Sequence, residues 1–249
     1  LTISEYGIYE LMIGSIIIFG FLTNWGIANS LQRFLPEYIA LSNWIQYLKT
    51  IAVSLRFRLI ASIIIFSGVI FFFNSYAKVL DIFDYKTEFI IFCISSILLF
   101  QFEYLNIASN AVMLQSKTST IQTINVSIRF IISVLLLQSG LKLKGVFIAI
   151  LIANFLLFLL LHIVFYKNVL RGEFISIKNK LKNIKIEKKR IVRYSSYSAA
   201  IIPGNILFSS AMDNFVIALM ANSDQLGIYA LGSRLNSYVV AFMPSMVLN

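Results

Sequence analysis

Between residues 167 and 193 the chain carries ten Lys or Arg and only two acids, Glu173 and Glu187, and on both sides of that block it runs in long apolar stretches. This contrast constrains the fold more than any motif, because a basic block between apolar stretches reads as a cytoplasmic loop between membrane helices. A mean hydropathy of +0.83 with 13% charged residues lies outside the range of soluble globular domains. A bilayer-spanning helix needs about 20 mostly apolar residues. Seven such stretches are expected, at 7–29, 57–76, 88–114, 121–141, 145–166, 195–221 and 226–248. The runs SIIIFSGVIFFF and FLLFLLLHIVF lack the alternation of a transmembrane barrel strand. The expected fold is all-α, a polytopic transmembrane helix bundle.

The formal charge of +10 does not indicate nucleic acid as a partner, because the cations cluster at helix ends and not on a soluble basic face. Membrane lipids are the expected partner, since polybasic loops bind the anionic inner leaflet. Cys93 and His162 each stand alone in apolar runs, so neither a disulfide frame nor a metal cluster is expected, and no cofactor is implied. A chain opening on Leu1 and stopping at Asn249 in or just after an apolar run is expected to be an internal piece of a longer protein.

If 167–193 is cytoplasmic and the stretches alternate, Arg33, Lys49, Arg56, Arg58, Lys117 and the block place fifteen basic residues inside. Lys78, Lys86, Lys142 and Lys144 fall outside, and Arg129 and Arg234 lie within helices. Fifteen against four is the asymmetry of the positive-inside rule. A short repeat adds to this: residues 5–11 read EYGIYEL and residues 225–231 read QLGIYAL, four matches in seven, each before a long apolar run. Six apolar stretches separate the copies, so both are expected on the outer side. That placement suggests two parallel six-helix halves related about an axis along the membrane normal.

EYGIY opening a helix, with RFLPEY (residues 33–38) closing it, resembles the second helix of polysaccharide and O-antigen lipid-linked oligosaccharide flippases. The segment RYSSYSAAIIPGNILFSSAMDNFVIALMANSDQLGIYALGSRL resembles their seventh helix and the start of the eighth. Those proteins belong to the multidrug/oligosaccharidyl-lipid/polysaccharide exporter superfamily, and the resemblance runs across the whole chain. It implies twelve to fourteen helices in two lobes around a central cavity. Residues 1–166 would then form most of the N-terminal lobe, five helices with the first missing. Residues 167–193 would link the lobes, and 194–249 would begin the C-terminal lobe with two helices. It further implies a bacterial inner-membrane location, a lipid-linked oligosaccharide substrate, and a polysaccharide polymerase and glycosyltransferases as partners.

A charge at the bilayer centre costs about 2.5–3.5 kcal/mol on insertion scales, so it pairs or faces water. Five candidates stand inside apolar stretches: Glu10, Glu103, Arg129, Asp213 and Arg234. Glu10 and Arg234 lie within about two turns of the outer surface, and Arg129 about two turns from the inner end of its helix, where snorkelling is the alternative to function. Glu103 is deeper, with Asn106 and Asn110 following on the same helical face; such a stripe faces a cavity or forms a helix–helix hydrogen-bond seam. Asp213 continues a stripe with Asn205 and Ser209, and Pro203–Gly204 before it can bend the helix. Arg33 and Arg58 are expected at cytoplasmic helix ends as topology anchors; in the flippase reading their forks also suit a lipid diphosphate. Gly14, Gly20 and Gly26 permit close helix approach.

The function expected from this reading is flipping of a polyprenyl-pyrophosphate-linked oligosaccharide from inner to outer leaflet by alternating access, reset by proton or cation uptake at a carboxylate such as Asp213 or Glu103. The alternative within the superfamily is a cation-coupled multidrug exporter. A membrane enzyme of polysaccharide assembly is disfavoured by a single apolar His, one Cys and no acidic DxD-type pair. A passive scaffold does not explain charges placed in apolar helices.

Overall fold

The computed structural model describes residues 1–80, 82–170, 188–207 and 209–242; within them the side chain of Asn205 lies outside the described residues. The basic stretch 171–187 and the end of the last apolar stretch, 243–248, also lie outside them. All the regular elements described are helical: α1 (Ile3–Asn24), α2 (Ile27–Ala40), α3 (Trp44–Phe71), α4 (Phe73–Leu80), α5 (Lys86–Ala111), α6 (Gln115–Gln138), α7 (Lys142–Phe165), α8 (Lys188–Leu207), α9 (Ser210–Met220) and α10 (Ser223–Phe242). A 3₁₀ turn, Phe83–Tyr85, leads into α5, and a π-helical turn, Tyr166–Leu170, follows α7.

Among the described residues five helical segments are long and apolar enough to cross a membrane: Ile3–Asn24, Trp44–Phe71, Phe83–Ala111, Gln115–Gln138 and Lys142–Val169. The chain is therefore a helical membrane protein. These five correspond to the first five expected stretches with shifted bounds. The third helix starts at Trp44, thirteen residues before the expected position 57, where the Asn43 side chain accepts from the Gln46 amide at 3.2 Å. Hydropathy cuts this helix short because it contains Lys49, Arg56 and Arg58. The sixth helix likewise begins at Gln115, since the polar QSKTST turn is helical.

Two expected stretches are broken. The first, 7–29, ends at Trp25 and Gly26, both left-handed (φ 47° and 71°), and a separate α2 runs on through Pro36. Gly26 is needed there on two counts, its positive φ and a backbone packed so closely on α8 that a Cβ would collide with the Ser195 carbonyl oxygen. The stretch 195–221 is also two helices, α8 and α9, with Ser209 extended (φ −97°, ψ 149°) just before α9; helix continues through Pro203, so the chain does not break at Pro203–Gly204.

Contacts across the helices set their directions. Ser15 meets the Tyr76 hydroxyl on α4 and Phe19 meets Phe66 on α3, so α1 runs antiparallel to the chain through α3 and α4. The Tyr47 hydroxyl donates to the Ala108 carbonyl and Arg58 reaches Glu103, so α3 and α5 are antiparallel. Asn125 donates to the Ala153 carbonyl and Lys117 to Asn168, so α6 and α7 are antiparallel. Arg33, Lys49, Lys117, Lys167, Lys189, Arg190 and Arg193 thereby gather toward one end of the bundle, here the basic end, and Lys78, Lys86, Lys142 and Lys144 toward the other.

Two apolar clusters fill the interior, one around Phe66, Phe89, Phe92 and Phe147 and the other around Leu35, Tyr47, Leu105 and Leu161. Polar contacts lie between them: the Tyr104 hydroxyl donates to Asn24 Oδ1 at 2.8 Å and Asn154 Nδ2 to Ser95 Oγ at 2.9 Å. In a span without water such bonds tie helices together and set their register.

Candidate functional site

Three polar constellations emerge, and each contains residues singled out from the sequence.

The first is a crossing of α1 and α10 at the end opposite the basic one. Here the two copies of the GIY repeat meet. A Cβ on Gly7 would collide with the Ser223 carbonyl oxygen and lie 2.8 Å from the Gly227 amide nitrogen; one on Gly227 would collide with the Ile3 carbonyl oxygen. Ser4 Oγ donates to Ser223 Oγ at 3.0 Å, and Arg234 grips Glu10 with two bonds of 3.1 Å. The Tyr6 hydroxyl donates to the same carboxylate at 2.9 Å. Contacts at 4/223, 7/227 and 10/234 advance together, so α1 and α10 run parallel. Glu10 and Arg234 are partners, not separate snorkelling groups; the carboxylate is 5% exposed and the guanidinium 50%.

The second constellation is in the span. Arg58 Nη2 lies 2.7 Å from Glu103 Oε2, with side-chain exposures of 1% and 46%. Because α3 begins at Trp44, Arg58 is fourteen residues inside its helix, roughly 21 Å along the axis, and not at a helix end as expected. Its guanidinium carbon stands 4.7 Å from the Phe100 ring centroid and 4.5 Å from that of Tyr104. Cation–π attraction between these faces offsets part of the desolvation of Nε and Nη1, which have no hydrogen-bond partner among the described residues. Arg58 belongs to a file on α3, with Gln46, Thr50, Ser54 and Ser62 at four-residue spacing and all buried. The four-residue period, which places residues on one helical face, was present in the sequence; only Arg58 of the five was singled out from it.

The third constellation is a cleft of about 730 Å³ at the basic end, between α2 and α8. Arg33, Lys189, Arg190 and Arg193 line it with Phe34, Tyr194 and Tyr197. Arg190 makes bonds of 2.8 and 3.0 Å to Glu37 and stacks over Phe34, while Arg33 sits 4.8 Å from the Tyr194 ring centroid. Deeper along the same helix pair, Ser30 Oγ and Ser195 Oγ are 2.7 Å apart, beside the Gly26 crossing. The Glu37–Arg190 and Ser30–Ser195 contacts join residues more than 150 positions apart and had no signature in the sequence.

The other candidates stay apart. Asn110 Oδ1 accepts from Thr118 and so secures the α5–α6 turn, while Asn106 is partly buried with its Oδ1 unpartnered. Arg129 lies fourteen residues from the start of α6, well beyond the two turns expected, with no ion pair among the described residues. Asp213 does not share one helix with Ser209 and Asn205: the break separates them, with Ser209 at the cap of α9. Asp213 is exposed in the first turn of α9, where the helix dipole favours an acid, and accepts from the Tyr229 hydroxyl at 3.3 Å. His162 rests against Phe158, and Cys93 is buried. Among the described residues no three His, Cys, Asp or Glu side chains group as metal ligands.

The chain matches no protein-family model, no curated protein and no solved structure.

Proposed function

We propose that the protein is a membrane transporter of the lipid-linked oligosaccharide flippase kind, which moves a polyprenyl-pyrophosphate-linked glycan from the inner to the outer leaflet by alternating access. The observation that carries this reading is the crossing of α1 and α10. The two copies of one sequence repeat meet at equivalent glycines on parallel helices, the contact that two halves related about an axis along the membrane normal make where they adjoin. In this reading 1–166 is most of one lobe, 167–193 the cytoplasmic link and 194–249 the start of the other, and α8–α9 and α10 supply the sixth and seventh spans. The location is a bacterial inner membrane with the basic end inward, and a polymerase and glycosyltransferases of polysaccharide assembly are the working partners. The role is transport, not catalysis.

The state of the carboxylates supports an anionic cargo over the cationic drugs of the alternative exporter. Glu10, Glu37 and Glu103 are each bonded to an Arg, so none of the three is free to receive a cation. Arg33 and Arg193 have no carboxylate partner among the described residues, and Arg presents a fork suited to phosphate oxygens. The Glu10–Arg234 pair ties α1 to α10 at one end and the Glu37–Arg190 pair ties α2 to α8 at the other. Alternating access requires these ties to open in turn.

Reconstitution decides the matter. Purified protein in vesicles should move an undecaprenyl-pyrophosphate-linked oligosaccharide between leaflets and should not extrude ethidium or other cationic dyes. Dye efflux without lipid movement would establish the alternative.

A further inference from the structure

The cleft between α2 and α8 joins three features that together identify a ligand. Four cations line it, and one of them, Arg190, is paired with the Glu37 carboxylate. Its guanidiniums are held in place by stacking: Arg190 over Phe34, and Arg33 between Phe34 and Tyr194. It also opens outward and not toward the interior. Arg33, Lys189, Arg193 and Tyr197 are exposed, whereas the Gly26 crossing and the Ser30–Ser195 bond close the same helix pair one to two turns deeper.

We propose that this cleft is a resident site for the headgroup of an anionic phospholipid, such as phosphatidylglycerol, of the cytoplasmic leaflet. Basic pockets between membrane helices on the cytoplasmic side take phosphate headgroups. Arg33 and Arg193 offer forked donors to a phosphodiester. The exposed ring of Tyr197 is amphipathic and suits the headgroup level. A bound headgroup neutralises cations that otherwise repel one another across the cleft, and so steadies the packing of α8 on α2. The site shares Arg33 and Arg193 with the transport reading, and the pyrophosphate arm of the test separates a resident phospholipid from a diphosphate cargo.

The test titrates short-chain phosphatidylglycerol, phosphatidylcholine and inorganic pyrophosphate into the purified protein in neutral detergent, with binding followed by native mass spectrometry and melting temperature. Phosphatidylglycerol is expected to bind and stabilise in preference to phosphatidylcholine. Arg33→Gln/Arg193→Gln should weaken it about thirtyfold, because each cation near an anionic surface contributes about fivefold. Lys142→Gln/Lys144→Gln at the other end should leave it unchanged. If the double Arg variant does not fold, the exposed single changes Lys189→Gln and Arg193→Gln carry the same test. Equal binding of the two phospholipids, or equal weakening by the Lys142/Lys144 control, would show attraction to the basic chain as a whole and overturn the proposal. Tighter binding of pyrophosphate than of phosphatidylglycerol at the same arginines would overturn it in favour of a diphosphate site. Glycan flipping is measured separately, so failure here leaves the transport reading standing.

Discussion

At the scale of the residue, the Arg58–Glu103 pair shows how a buried charge is tolerated in a span. Arg58 is enclosed by Phe100 and Tyr104 and meets one carboxylate whose other side is open. Removing the carboxylate strands a buried guanidinium, so Glu103→Ala is expected to cost about 2–3 kcal/mol. That is below the ~3–5 kcal/mol of breaking a fully buried pair, since Glu103 is half exposed. Arg58→Met/Glu103→Leu, which removes both charges, should regain most of the loss; unfolding in detergent of the two single variants and the double closes the cycle. Asp213 is a contrasting case. It is exposed and bonded to a tyrosine, so Asp213→Asn forfeits only its helix-dipole contribution, ~0.3–1 kcal/mol. Membrane abundance and melting temperature near those of the parent are the expected result.

Helix crossings are decided by what is missing from them. Gly7 and Gly227 leave no room for a methyl group because the opposing atoms are backbone, which does not yield as a flexible side chain does. Gly7→Ala and Gly227→Ala are each expected to destabilise by about 1–3 kcal/mol through forced separation of α1 and α10. Gly232→Ala on the same α10 has nothing within 4 Å to meet and should be neutral or slightly stabilising, alanine being the better helix former. Equal melting temperatures for all three variants would show that the crossing is not tight. Both glycines belong to the repeat legible in the sequence, but a repeat says only that two segments are alike. That they touch required the fold.

For the whole molecule, charge and topology agree. Helix packing places seven of the described lysines and arginines toward one end and four toward the other, while Arg58, Arg129 and Arg234 lie along helices. The positive-inside rule then sets which end faces the cytoplasm, and a labelling experiment reads it. In a Cys93→Ala background, cysteine at Lys86 should react with an impermeant thiol reagent in intact cells, and cysteine at Lys117 only after permeabilisation; the reverse pattern would invert the orientation. Both positions are exposed and Cys93 is buried, so the background change leaves the readout clean.

Hydropathy alone determined that the chain is helical, that it enters a membrane and roughly where five of its spans run, because a span's first requirement is to keep about 20 residues of backbone and side chain compatible with hydrocarbon. Helix limits escaped it. Arg58 looked like a terminus because a cation in a span is costly, and Glu103, 45 positions away, with the rings of Phe100 and Tyr104, offsets part of that cost. The breaks at Trp25–Gly26 and at Ser209 were likewise hidden, the first because a glycine in an apolar run reads as continuous helix until a second helix lies against it. The polar candidates were visible one by one, as residues in an unsuitable solvent. Their sorting into pairs, Glu10 with Arg234 and Arg58 with Glu103, and the Glu37–Arg190 pair that no sequence feature marked, were decided by tertiary structure, since each bond joins residues at least 45 positions apart and a sequence holds no distance between them.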